Sequence, residues 1–119
     1  MANDNQIQNE ANEILYRQSR LERIQKYIDE NLSADLGAAV VSQKFRVSIS
    51  TLHHSFKKYL LQSYHRYVER VRMHKALEMI QSGKRIREIM SATGYKSRTT
   101  FYKAFKRTFE HAPGIFKNY

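Results

Sequence analysis

The chain has 119 residues, a formal net charge of +10 and no cysteine, a length that suits one domain, or two very small ones sharing an element, with a modest core. A disulfide scaffold and a cysteine-based zinc site are excluded, and the apolar runs are too short to span a membrane. The polar, Asn-rich start lacks the hydrophobic region of a signal peptide, so a soluble, cytoplasmic protein is expected.

Charge is unevenly distributed. Residues 1–35 carry four basic and seven acidic side chains, whereas residues 36–119 carry seventeen basic and four acidic ones. The second part is expected to meet a polyanion, and composition leaves nucleic acid, an acidic protein and a membrane surface open.

One proline, four glycines and no sustained strand alternation read as an all-α chain of seven helices. Residues 1–20, with Asn3, Asn5, Asn9 and Asn12, read as a polar N-terminal arm or linker stub. Leu21, Ile24, Ile28 and Leu32 then mark an amphipathic helix. After a break at Ser33 to Asp35, a short helix runs through Ala38, Val41 and Ser42, and Phe45 to Val47 form a turn. Ser48 caps a third helix, its hydroxyl accepting from first-turn amides, with Leu52, Phe56 and Leu60 as one apolar stripe.

A long helix is predicted from about Ser63 to Gln81, with Tyr67, Val68, Val71, Ala76, Leu77 and Ile80 on its apolar side and Gly83 as its stop. Ile86, Ile89 and Met90 mark a short helix ending at Gly94, whose left-handed backbone suits a tight turn. Ser97 caps the next helix, carrying Phe101, Phe105 and Phe109. Pro113 opens a last turn expected to pack Ile115 and Phe116.

An internal repeat organises these elements. Laying Ser48 over Ser97 brings Thr51 onto Thr100, Leu52 onto Phe101, Phe56 onto Phe105, Lys57-Lys58 onto Lys106-Arg107, Leu60 onto Phe109 and Tyr67 onto Phe116. Each repeat is a short helix, a turn and a second helix starting at a serine cap, the helix-turn-helix layout in which the second helix reads DNA. The turns differ: Gly94 lies three residues before its cap, whereas Arg46 lies two before Ser48. A left-handed Arg46 would cost about 1 kcal/mol relative to glycine.

Over residues 21–119 the chain resembles the AraC/XylS regulators. The resemblance is carried by Ile86, Glu88, Ile89, Gly94, Tyr95, Ser97, Phe101, Lys103, Phe105, Lys106, Pro113 and Phe116-Lys117, by Tyr67, Arg72, Ala76, Leu77 and Ile80 in the long helix, and by Leu52, Phe56, Lys57 and Lys58 in the first reading helix. Arg46 departs from it, standing where the family usually has glycine. It implies seven helices, with one helix-turn-helix at about 36–60, a linker helix at about 63–81 and a second helix-turn-helix at about 86–109, bound to adjacent major grooves of a promoter.

The outer faces of the reading helices supply the candidate residues. On the first, Ser50, His53, His54 and Lys57 line one stripe opposite Leu52 and Phe56; on the second, Arg98, Thr99, Tyr102, Lys103 and Lys106 lie opposite Phe101 and Phe105. Side chains on early turns reach base edges and basic ones farther along reach phosphates, with Arg98 the best candidate for bidentate contact with guanine. Ser48 and Ser97 sit where helix-start groups favour phosphate.

Catalysis has little support: after residue 35 only Glu69, Glu78, Glu88 and Glu110 are carboxylates, at separate helical positions, so no enzyme is expected. No metal, cofactor or small-molecule effector site is expected within the chain. The expected partner is double-stranded DNA, bound by a monomer. Two rivals remain: a first unit that docks a protein such as RNA polymerase while only the second reads DNA, and a basic RNA-binding module.

Overall fold

The structure, a computed structural model, describes residues 3–117; Met1, Ala2, Asn118 and Tyr119, the ends of the two predicted ranges, lie outside the described residues. Six α-helices and a 3-10 turn make up the secondary structure among them: α1 Asp4–Glu30, α2 Ala38–Lys44, α3 Ile49–Leu60, α4 Tyr64–Gln81, α5 Ile86–Thr93, α6 Arg98–Phe109, and the turn Pro113–Phe116. The all-helical expectation holds, and the predicted seventh helix is the 3-10 turn. There Pro113 is buried while Ile115, expected to pack, stays exposed beside half-buried Phe116.

The larger difference is at the start. The segment read as a polar arm or linker stub is helical from Asp4 and continuous with the helix predicted at Leu21. Asn3 caps it, its side-chain oxygen accepting from the Gln6 amide at 2.8 Å, and the Gln, Glu, Ala, Leu and Arg content that follows favours helix without requiring burial. Ile7 and Ile14 precede Leu21 and Ile28 at the same seven-residue interval, so a stripe legible in the sequence extends back to Ile7. Ile7 and Ile14 remain exposed, whereas Leu21, Ile24 and Ile28 are buried.

Two hydrophobic cores flank α4. The first gathers Leu21, Ile24 and Ile28 of α1 with Leu36, Val41, Leu52, Phe56, Tyr64 and Val68; the second gathers Met73, Ala76 and Ile80 of α4 with Ile89, Phe101, Ala104 and Phe105. Tyr64 and Met73, which the predicted stripe of α4 omitted, are fully buried, while Tyr67, Val71 and Leu77 are only half-buried. Tyr64 fits inside because its hydroxyl donates to the Leu36 carbonyl at 2.5 Å, so its one polar atom stays paired. Burial there pushes the phenol up to about 12.

The repeat extends beyond its side chains. α3 and α6 both have twelve residues, start after serine caps and end at left-handed residues, Leu61 and Glu110. The preceding turns close alike, each with an amide bonding a carbonyl five residues back, Val47 to Ser42 at 3.0 Å and Tyr95 to Met90 at 2.9 Å. The left-handed residue comes one position later in the first turn: Arg46 takes φ 55°, whereas Gly94 takes φ 79°. Arg46 therefore carries the strain anticipated for a non-glycine residue there.

Candidate nucleic-acid interface

Each reading helix is held by its apolar face, which decides what its other face can offer. Leu52 and Phe56 seat α3 in the first core, and Phe101, Ala104 and Phe105 seat α6 in the second. Ser48 fixes the start of α3 by accepting from the Thr51 amide at 3.0 Å while donating to the Thr51 hydroxyl at 2.8 Å. Ser97 accepts from the Thr100 amide at 3.3 Å. Both cap hydroxyls are thus engaged within their helices, and both serines remain exposed.

On α6, Arg98, Thr99, Tyr102, Lys103 and Lys106 are all exposed. Among the described residues the ion pairs involve none of the three cations of this face. The fourth basic residue of the helix has a different job: Arg107 donates two bonds to the Glu69 carboxylate, at 2.9 and 2.8 Å, tying α6 to α4. That carboxylate also raises the Arg107 pKa, chiefly through the hydrogen bonds. The matched basic pairs of the repeat therefore divide, with Lys57 and Lys106 facing outward and Arg107 engaged internally.

The stripe predicted on α3 divides as well. Lys57 is exposed and outside every ion pair among the described residues, but His53 is half-buried, its ring 6.3 Å from Tyr64 and 5.9 Å from His65 at the start of α4. Ser50 and His54 are exposed and line a groove of about 520 Å³ whose opposite wall is Glu13, Tyr16, Arg17 and Arg20 of α1. The extended α1 thus flanks the first reading helix, a neighbour that the sequence reading did not place there.

Further cations surround the start of α6. Arg87, Lys96 and Arg98 line one cavity with Ser33 and Ser91, and Arg85 joins Arg87 and Arg98 around another. None of these four takes part in the ion pairs among the described residues, and guanidinium and ammonium groups clustered beside a reading helix are suited to phosphate. Of these, Arg85, Arg87 and Lys96 lie outside the reading helices and so outside the sequence-derived candidates; the signal was the run Lys84, Arg85 and Arg87 ahead of the turn. No group of three or more histidine or carboxylate residues among the described residues could hold a metal, and no described helix is long and apolar enough to cross a membrane.

A family model described as a helix-turn-helix domain matches residues 41–119, more than half of the chain. The chain belongs to the AraC-type helix-turn-helix family. Among curated proteins, this AraC-type domain is similar to an uncharacterized HTH-type transcriptional regulator of Escherichia coli, YijO, being 26% identical over 101 residues that cover 84% of this chain and 36% of the relative. It is also 25% identical over 96 residues to the HTH-type transcriptional activator RhaS of Salmonella schwarzengrund, covering 80% of this chain and 34% of that protein. The domain thus spans about a third of the length of these relatives.

Solved structures agree. The C-terminal domain of AraT, a response regulator from Geobacillus stearothermophilus, matches with a TM-score of 0.78 at 29% identity, over 82% of this chain and 83% of that one. The C-terminal domain of the two-component response regulator yesN from Fusobacterium nucleatum matches with a TM-score of 0.76 at 25% identity, over 82% and 96%. The AraC-type domain is therefore a DNA-binding module of a family of transcription regulators, not of enzymes.

Proposed function

We propose that the domain places α3 and α6 in successive major grooves on one face of a promoter. The observation that carries this reading is the duplicated unit: two twelve-residue helices, each capped by serine and each showing an exposed basic face, fixed to one shared helix. Successive grooves recur about 34–36 Å apart. The stiff α4 sets the separation of the units, and DNA bends where the two grooves do not already match it.

The faces divide the work. Arg98 and Lys103 read base edges in the second groove, with Thr99 and Tyr102 beside them, while Lys106 and the Arg85–Arg87–Lys96 cluster hold phosphates. On α3, Ser50, His54 and Lys57 face DNA and His53 supports them from the α4 side; Ser48 and Ser97 add helix-start contacts to phosphate. The domain binds as a monomer in the cytoplasm, and activation, which the name of RhaS records for that protein, is the proposed outcome.

Selection from a random duplex pool tests this: two enriched sequence blocks one helical turn apart are expected, and a single block would contradict it. A second reading draws support from the half-burial of His53 and the groove position of His54, which leave Lys57 as the main free cation among the predicted residues of α3. In that reading the first unit docks a protein such as RNA polymerase. Replacing His53, His54 and Lys57 together with alanine separates the two: a large loss of affinity supports two readers, unchanged affinity supports docking.

A further inference from the structure

We infer that Arg72 is a positioning residue that sets the spacing and angle between the two reading helices, by strapping the first unit to the turn of the second. This rests on the two-reader reading above. The need for such a strap follows from α4. Tyr64 and Val68 belong to one core and Met73, Ala76 and Ile80 to the other, so the changeover falls at Arg72. A helix fixes the separation of what is packed on it, at about 1.5 Å per residue, but the orientation of each unit around the helix depends on contacts at the joint.

Arg72 makes those contacts in both directions. Its Nε donates to the Leu32 carbonyl at 3.2 Å and its Nη2 to the Ala34 carbonyl at 2.9 Å, both in the loop between α1 and α2. On the other side its guanidinium lies 5.8 Å from the centroid of the Tyr95 ring, in the turn that precedes α6. The Leu32 carbonyl is also where the units meet directly: a Cβ on Gly94 would lie 2.7 Å from that oxygen and 2.9 Å from Arg72 Nη2. One turn earlier on α4, Glu69 holds Arg107 of α6 with two bonds, so α6 is anchored along its length as well as at its approach.

The chemistry requires arginine. Two backbone carbonyls and an aromatic face are met at once by a planar fork of donors, whereas a lysine ammonium is a point charge on a flexible stem. Tyr95 is half-buried in this seam, where burial, reinforced by Glu69, raises its pKa and keeps the ring uncharged under the guanidinium. An arginine that only satisfied two loop carbonyls would support stability alone. One that also sets the joint must control which groove separations the protein accepts.

The spacing profile distinguishes these roles. Duplexes from the pool selection are built with both blocks, with one block, and with the spacer changed by one or two base pairs; each added base pair moves the second groove by about 3.4 Å along the axis and about a tenth of a turn around it. The wild-type domain is expected to lose about tenfold in affinity for one such change, because a rigid joint makes the second contact available at high effective concentration only at the right separation. Arg72→Met and Arg72→Lys are expected to lose about tenfold on the best spacer, to vary by less than about threefold across spacers, and to match wild type on one block. Tyr95→Leu removes the stack on Arg72 together with the edge contact to Phe101 but keeps Arg72 and an apolar side chain against the second core; a flattened profile with one-block affinity unchanged supports the inference even where Arg72→Met is too unstable to purify.

Variants that keep the wild-type profile overturn the inference and leave the two-reader reading standing. A wild-type domain that binds one-block and two-block duplexes alike overturns the two-reader reading first, and the inference with it.

Discussion

Replacing Gly94 with alanine, against Gly83→Ala as its control, measures the contact between the two units. Both glycines are left-handed, at φ 79° and φ 80°, so alanine at either position meets a backbone penalty of about 1–2 kcal/mol, partly offset by about 0.4–1 kcal/mol from a less flexible unfolded chain. A Cβ at Gly83 has nothing within 4 Å, whereas at Gly94 it would lie 2.7 Å from the Leu32 backbone oxygen. That oxygen cannot rotate away as a side chain could, so relief needs movement of the loop or of the whole unit, an overpacking term of about 1–3 kcal/mol. Gly83→Ala is expected to cost about 1 kcal/mol and Gly94→Ala about 2–4 kcal/mol. In thermal melts followed by circular dichroism, Gly94→Ala should unfold at least about 4 °C below the control. If the two variants melt together, the units do not meet at Leu32 and Gly94 as described.

Other consequences concern caps, charges and pH. Ser97→Ala removes the hydroxyl that accepts from the Thr100 amide and should lower stability by about 1 kcal/mol in urea titrations. Arg98→Ala should cost about 1–3 kcal/mol on a selected site and relax the preference at one base pair, whereas Lys106→Ala should weaken binding to all sequences alike and reduce the salt slope by about one. Tyr64, fully buried with a pKa raised to about 12, links stability to alkaline pH. The folded pKa lies above the unfolded value near 10, so the contribution is complete below pH 10 and is lost as pH rises towards 12. Tyr64→Phe should flatten that fall in chemical denaturation series while giving up the bond to Leu36, at about 1 kcal/mol.

Local chemistry made the second unit readable from its residues. Gly94, Ser97 and the interval from Phe101 to Phe105 each act within a turn or two of chain, and each sits where that chemistry puts it. The first unit was less legible because its turn lacks a glycine: the left-handed residue is Arg46, one place nearer its cap than Gly94 is, and only the repeat points to it. His53 and His54 show the limit of a helical wheel. It places both on the outer arc of α3, but only the approach of Tyr64 and His65 on one flank and of α1 on the other determines how much of each is left free.

Arg72 was visible only as part of a family pattern. Its partners Leu32 and Ala34 lie 40 and 38 residues away, and backbone carbonyls leave no mark in a sequence. The helical start was missed for the opposite reason: Ile7 and Ile14 share the seven-residue interval of Leu21 and Ile28, but the asparagines around them make the segment read as a polar arm.

Hydroxyl-radical footprinting of the wild-type domain on a selected site tests the two-groove arrangement most directly. Two protected patches on one face of the duplex, about 10–10.5 base pairs apart, are expected, with Arg98→Ala weakening one and the triple change of His53, His54 and Lys57 weakening the other. A single protected patch of one groove width, unaltered by the triple change, would contradict it.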